Sequence, residues 1–166
     1  MNRTMVLIVF SLIACCELAP AKDAGFNGTW LLDKDSPQPV NAPNEMKAKI
    51  KQKGTRVTIE STFSEPADGK VPLLYLGVMV NRVRLDANGK PQHNMIGPVH
   101  LQTNTTITGN QMLTEWRAAT QGAQVAQVEG HWTHTLKDAN HLVLQIQECP
   151  TNGQEARATL FFVREE

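Results

Sequence analysis

The feature that most constrains this chain is a two-residue rhythm cut at short intervals by glycine turns. Lys53-Gly54, Asp68-Gly69, Asn88-Gly89, Gly109-Asn110, Gln121-Gly122, Asp138-Ala139-Asn140 and Asn152-Gly153 mark the turns. Asn-Gly and similar pairs accept the positive φ of tight hairpins at little steric cost. Between them the side chains alternate. Met46, Ala48 and Ile50 oppose Lys47, Lys49 and Lys51, and Val57, Ile59 and Phe63 oppose Arg56, Thr58, Glu60 and Thr62. Val99, Leu101 and Ile107 share a face with Thr103 and Thr105, and Val128, Trp132 and Leu136 share one with His134. Leu142, Leu144 and Ile146 oppose Val143, Gln145 and Gln147. Successive strand side chains point to opposite faces, so this pattern predicts half-buried strands with one wet side.

Two runs are apolar on both faces, Leu73-Leu74-Tyr75-Leu76-Gly77-Val78-Met79-Val80 and Leu160-Phe161-Phe162-Val163. They read as strands covered on both sides, or as cavity walls packed from behind. Pro37, Pro39 and Pro43 make the stretch from Asp35 to Asn44 an irregular loop, because proline cannot donate to a ladder. No stretch keeps a 3.6-residue period. The expectation is an all-β domain, an antiparallel up-and-down meander of about eight or nine strands, closed on itself to hide its edges.

Sixteen basic residues balance sixteen acidic ones, so no charge excess points to nucleic acid or an anionic membrane as partner. The N-terminus stands apart. Arg3 precedes a short apolar run, Met5 to Ala14, followed by small residues. A bilayer-spanning helix needs about 20 apolar residues, so the order reads as an export signal. Ala19-Pro20-Ala21 offers cleavage that leaves residues 22–166 as the mature barrel domain. Leu12-Ile13-Ala14-Cys15 offers the alternative, a lipoprotein signal over residues 1–14 with Cys15 lipidated. Only in that second case is the chain tied to a membrane, through its lipid. The expected location is the periplasm or the extracellular space. Cys149, beside Pro150 in an expected turn, reads as an unreactive, partly buried thiol.

Gly25-Phe26-Asn27-Gly28-Thr29-Trp30-Leu31-Leu32-Asp33 opens the domain. Its Gly28-x-Trp30 at the first strand, followed by the meander, resembles the lipocalin-like superfamily. It is similar in particular to small secreted bacterial proteins that open with G-T-W-x-L-D/N. Trp132, the turn Leu136-Lys137-Asp138-Ala139-Asn140-His141-Leu142 and the closing run Leu160-Phe161-Phe162-Val163 follow in the order such chains show. The resemblance spans roughly Gly25 to Arg164; the T-D-Y-like turn of the classical branch is missing. It implies a lipocalin-like barrel with structural roles for Gly28 and Trp30. An arginine, Arg157 or Arg164, would cover the face of Trp30.

Candidate chemistry is sparse. His131 and His134 are three residues apart, an odd separation that puts them on opposite strand faces, so they cannot share a metal. There is no zinc spacing, P-loop, dinucleotide fingerprint or nucleophile elbow, so no metal or cofactor is expected. Trp116 and Trp132 sit on consecutive strands and are expected to neighbour each other as plain core or as a cavity wall. Two readings stay open. In the favoured one the barrel is non-catalytic and binds a hydrophobic small molecule or an envelope partner, with Trp116, Trp132, His134, Tyr75 and Phe162 lining the cavity. The alternatives are isomerase- or cyclase-type chemistry, with His134 acting beside Glu115 or Tyr75, or a purely structural envelope role.

Overall fold

The computed structural model describes residues 25–39, 42–64, 82–96, 99–120, 128–150 and 154–166. Ten strands run through them: β1 (Gly28–Leu32), β2 (Glu45–Lys53), β3 (Arg56–Ser64), β4 (Val83–Asp86) and β5 (Gln92–Ile96), then β6 (Val99–Thr108), β7 (Gln111–Thr120), β8 (Val128–Leu136), β9 (His141–Pro150) and β10 (Ala156–Arg164). All belong to one antiparallel sheet in the order β4-β3-β2-β1-β10-β9-β8-β7-β6-β5. Apart from the β1–β10 pairing, every sheet neighbour is a sequence neighbour, so the chain is an up-and-down meander whose first and last strands meet. The expectation of eight or nine strands undercounts because three strands, β4, β5 and β6, occupy residues 83–108. The apolar run 73–80, Tyr75 included, lies outside the described residues, as do residues 1–24 with Cys15.

The alternation read from the sequence sets the register. Trp30, Met46, Ile50, Val57, Leu101, Met112, Trp132, Leu142, Leu160 and Phe162 all fall in one buried cluster inside the curved sheet. Each such side chain removed from water contributes roughly 1.5–3 kcal/mol. The last run is apolar on both faces for a local reason. Leu160 and Phe162 point into the barrel, while Phe161 and Val143, paired across β10 and β9, face outward. The proline-bearing loop is tied to β10 there. Gln38 Nε2 donates to the Phe161 carbonyl at 3.1 Å, and the Phe161 amide donates to Gln38 Oε1 at 3.3 Å.

The ring is nearly closed, and its discontinuity falls between β4 and β5. Among the described residues no ladder joins them. The amide of Asn94 on β5 stands in for a strand instead: its Oδ1 accepts the Arg84 backbone N–H at 2.9 Å, and its Nδ2 donates to the Arg84 carbonyl at 2.9 Å. A single bridge, Asn88 to Thr106, adds to this seam.

One end of the barrel is plugged by Trp30, which is fully buried and donates from Nε1 to the Phe26 carbonyl at 3.0 Å. Of the two arginines considered for its cover, Arg164 lies over the indole, 4.2 Å from the ring centroid. Arg157 pairs with Glu155 on the exterior instead. Arg164 also donates to the carbonyl oxygens of Asn27 and Ala139. Gly28 makes this possible: its φ is 147°, and a Cβ there would collide with the Arg164 guanidinium.

Candidate functional site

Cross-strand register stacks the interior side chains of β6 to β10 into rows. The row nearest the plug holds Leu136, Leu142 and Phe162. The next holds Met112, His134, Leu144 and Leu160, and the one above it Thr105, Thr114, Trp132, Ile146 and Ala158. The row beyond that holds Thr103, Trp116, Gly130, Glu148 and Ala156, and an apolar row of Leu101, Ala118 and Val128 lies farther still from the plug. The polar groups concentrate in the upper rows, with the Glu148 carboxyl group between the Trp132 row and the apolar row of Leu101, Ala118 and Val128.

Trp116 and Trp132 are the neighbours that their consecutive strands imply. Their ring centroids are 5.6 Å apart and the planes are inclined by 31°. Both indoles are buried, and neither Nε1–H has a hydrogen-bond partner. Gly130 shapes this pair. A Cβ at that position would run into the Gln147 carbonyl and come within 2.8 Å of Trp116 Cζ2. The missing side chain lets the Trp116 indole lie over Gly130 on β8, the residue in register with Glu148 on β9. Strands lie about 4.8 Å apart, so Trp116 and Glu148 sit two spacings from each other, within the combined reach of their side chains.

Glu148 is 4% exposed, and its Oε1 has no hydrogen-bond partner. Desolvation pushes its pKa up to about 7. Among the described residues no cation forms an ion pair with it. Its row neighbours Gly130 and Ala156 are small, so neither brings a polar side chain to the carboxyl group. Thr103, across the same row, has a buried hydroxyl with no partner. Thr105 and Thr114, one row down, satisfy each other across 3.0 Å.

His134 lies two rows deeper, four residues from Gly130 along β8, so about 13 Å of strand separates the level of its backbone from that of Glu148. It is buried, its Nδ1 has no partner, and desolvation lowers its pKa to about 4, so it is neutral at physiological pH. It contributes polarity to the barrel floor but cannot exchange a proton with Glu148 directly.

The sequence reading needs correction at the acid. Glu115, considered there as a partner for His134, is exposed on the outer face, opposite His131. It cannot act in the interior, because its strand neighbours Thr114 and Trp116 take the inward positions. The interior carboxylate is Glu148, and its signal was available: it continues the inward series Leu142, Leu144, Ile146. The same alternation turns Cys149 outward, so its thiol is exposed rather than partly buried. His131 faces outward, opposite in sense to His134. With Gln102, Glu115, Arg117, Glu129 and Cys149 it borders a shallow open groove of about 420 Å³ on the exterior. Phe162 is buried in the row next to the plug, three rows from Glu148. Among the described residues no three His, Cys, Asp or Glu side chains are grouped to hold a metal.

No family model matches the chain, and no curated protein matches it either. Two solved structures from Ramazzottius varieornatus are similar in fold. One is a secretory abundant heat soluble (SAHS) protein, with a TM-score of 0.53 at 10% sequence identity, covering 84% of this chain and 95% of that one. The other is secretory abundant heat soluble protein 4, with a TM-score of 0.50 at 12% identity, covering 87% of this chain and 96% of that one. At this level of identity the likeness speaks to architecture alone, and with the meander it establishes an all-β, antiparallel, lipocalin-like barrel.

Proposed function

We propose that this protein is an exported, non-catalytic carrier whose barrel holds one small, largely apolar molecule in its upper half, against Trp116 and Trp132. One observation carries this reading: the two indole N–H groups, the Thr103 hydroxyl and Glu148 Oε1 are buried in the same two rows with no partner among the described residues. Buried polar groups in folded proteins are nearly always hydrogen-bonded, to protein, water or ligand. A group of them beside an aromatic wall is the lining expected of a ligand pocket. Width supports it. An eight-stranded barrel is just filled by its own side chains or one small ligand, and diameter grows with strand number, so ten strands give more room. Export is the expectation from Arg3 and the apolar run Met5 to Ala14. A structural envelope role gains no support from these unpartnered groups, and catalysis gains none from a histidine and a carboxyl group set so far apart.

The test is uptake of an uncharged apolar fluorophore, N-phenyl-1-naphthylamine, followed by energy transfer from tryptophan. Saturable one-to-one binding, weakened tenfold or more in Trp116→Leu, is expected. Absence of saturable uptake in the folded protein would overturn the carrier reading. Native mass spectrometry of protein purified from its own host should show a co-purified adduct.

A further inference from the structure

We infer that the carrier takes an organic ammonium ion, a protonated amine on an apolar body, with the Glu148 carboxylate as its counter-charge and the tilted Trp116–Trp132 pair as its wall. This inference rests on the carrier role proposed above and narrows it to one chemical class.

Three features of the Glu148 row point the same way. First, Glu148 is a buried carboxyl group without a cation among the described residues, which is rare in folded proteins because an unpaired buried charge is costly. A ligand bearing the missing charge would resolve it. Second, the residues in register with Glu148 on either side are the small Gly130 and Ala156. Third, the wall is aromatic. The Trp116 indole lies over Gly130, the register neighbour of Glu148, and a π-face near a carboxylate is the pairing that attracts an alkylammonium and its adjacent CH₂ groups.

Among the described residues the groups facing Glu148 are otherwise neutral. Arg117, Glu129, Glu155 and Arg157, the charged residues on the adjoining strands and the connection, are exposed or directed to the exterior and pair among themselves, Arg117 with Glu129 and Arg157 with Glu155. A ligand carboxylate would meet a like charge at Glu148 and no cation to offset it, so fatty-acid-type ligands are disfavoured.

Binding has a proton balance. Below about pH 7 Glu148 holds a proton. The ammonium ion enters with its charge, the carboxyl proton leaves to solvent, and the ion pair forms in its place. One proton is therefore released per ligand bound at pH 6, and almost none at pH 8.5.

The test compares three ligands with one body: 2-phenylethylammonium, 2-phenylethanol and phenylacetate, by isothermal titration calorimetry at pH 8. The ammonium is expected to bind at least tenfold more tightly than the alcohol, with phenylacetate weakest. That preference should shrink at pH 5 in the unmodified protein and vanish in Glu148→Gln, whose amide keeps the shape of the carboxyl group. Equal binding of ammonium and alcohol at pH 8 would overturn the inference, as would a preference that persists at pH 5 and in Glu148→Gln, or no binding of any of the three. Uptake of N-phenyl-1-naphthylamine separates the two failures. If the fluorophore binds and the ammonium is not preferred, only the ligand class is wrong; if neither binds, the carrier role falls with it.

Discussion

Replacing Glu148 with glutamine should make the unliganded protein more stable at pH 8 and leave it little changed near pH 4. Burial raises the Glu148 pKa from 4.5 to about 7. Between those values the folded state keeps a proton that the unfolded chain gives up. Its contribution is therefore fully present below pH 4.5 and is lost as pH rises through 7. At ~1.4 kcal/mol for each tenfold change in proton affinity, the loss amounts to ~3 kcal/mol by pH 8. His134 works in the opposite sense. Its pKa falls from 6.5 to about 4, so its neutral form sits comfortably in the core above pH 6.5, and stability is lost as pH falls through 4. Between pH 4.5 and 6.5 the two slopes nearly cancel, and the unmodified protein should show a flat stability profile there. Glu148→Gln removes one slope. Its stability should climb with pH to about 6.5, then hold level to pH 8.5 while that of the unmodified protein declines. Urea unfolding at half-unit pH steps, followed by tryptophan fluorescence, measures both curves. Parallel curves from pH 6 to 8.5 would refute the reasoning, since they would mean that Glu148 titrates alike in the folded and unfolded states.

Three further substitutions probe the frame around the site. Arg164→Ala strips the guanidinium from Trp30 and leaves the Asn27 and Ala139 carbonyls without their donor; a loss of ~2 kcal/mol in urea unfolding is expected, with altered near-ultraviolet circular dichroism from the indole. Gly130→Ala drives a methyl group into the Gln147 carbonyl and against Trp116, so a loss of ~2–3 kcal/mol and weaker N-phenyl-1-naphthylamine uptake should appear together. Asn94→Ala removes both hydrogen bonds to Arg84; a loss of ~1–2 kcal/mol and faster amide exchange at Arg84 are expected, and unchanged exchange there would show that the Asn94 amide does not hold the seam.

Much of this architecture is written locally. A period of two needs only neighbouring residues to be recognised, and it places Met46, Ile50, Val57, Leu101, Trp132 and Leu142 inside before any pairing is known. The tryptophan pair follows because Trp116 and Trp132 sit on consecutive strands. The polar half of the site is less legible. Glu148 lies on the inward face by simple extrapolation from Leu142, yet a glutamate at a strand end is ordinarily solvated, and only the whole barrel decides that it is buried. Gly130 says nothing alone, because its meaning depends on an indole fourteen residues earlier in the chain. Glu115 misleads for the opposite reason: it neighbours Trp116 in sequence and is directed away from it in space. The Asn94–Arg84 closure depends on curvature accumulated over ten strands, which no local pattern records.

That closure sets where the wall gives way first. Everywhere else adjacent strands are held by a continuous run of backbone pairs, ten residue positions long between β6 and β7. Among the described residues β4 and β5 are held by two contacts from one amide, with the Asn88–Thr106 bridge beside them. Parting the described strands along that line breaks fewer backbone pairs than parting them along any ladder, so local opening is expected to concentrate there. The arrangement is that of a cuff fastened at one clasp, free to loosen sideways while its plugged end stays shut.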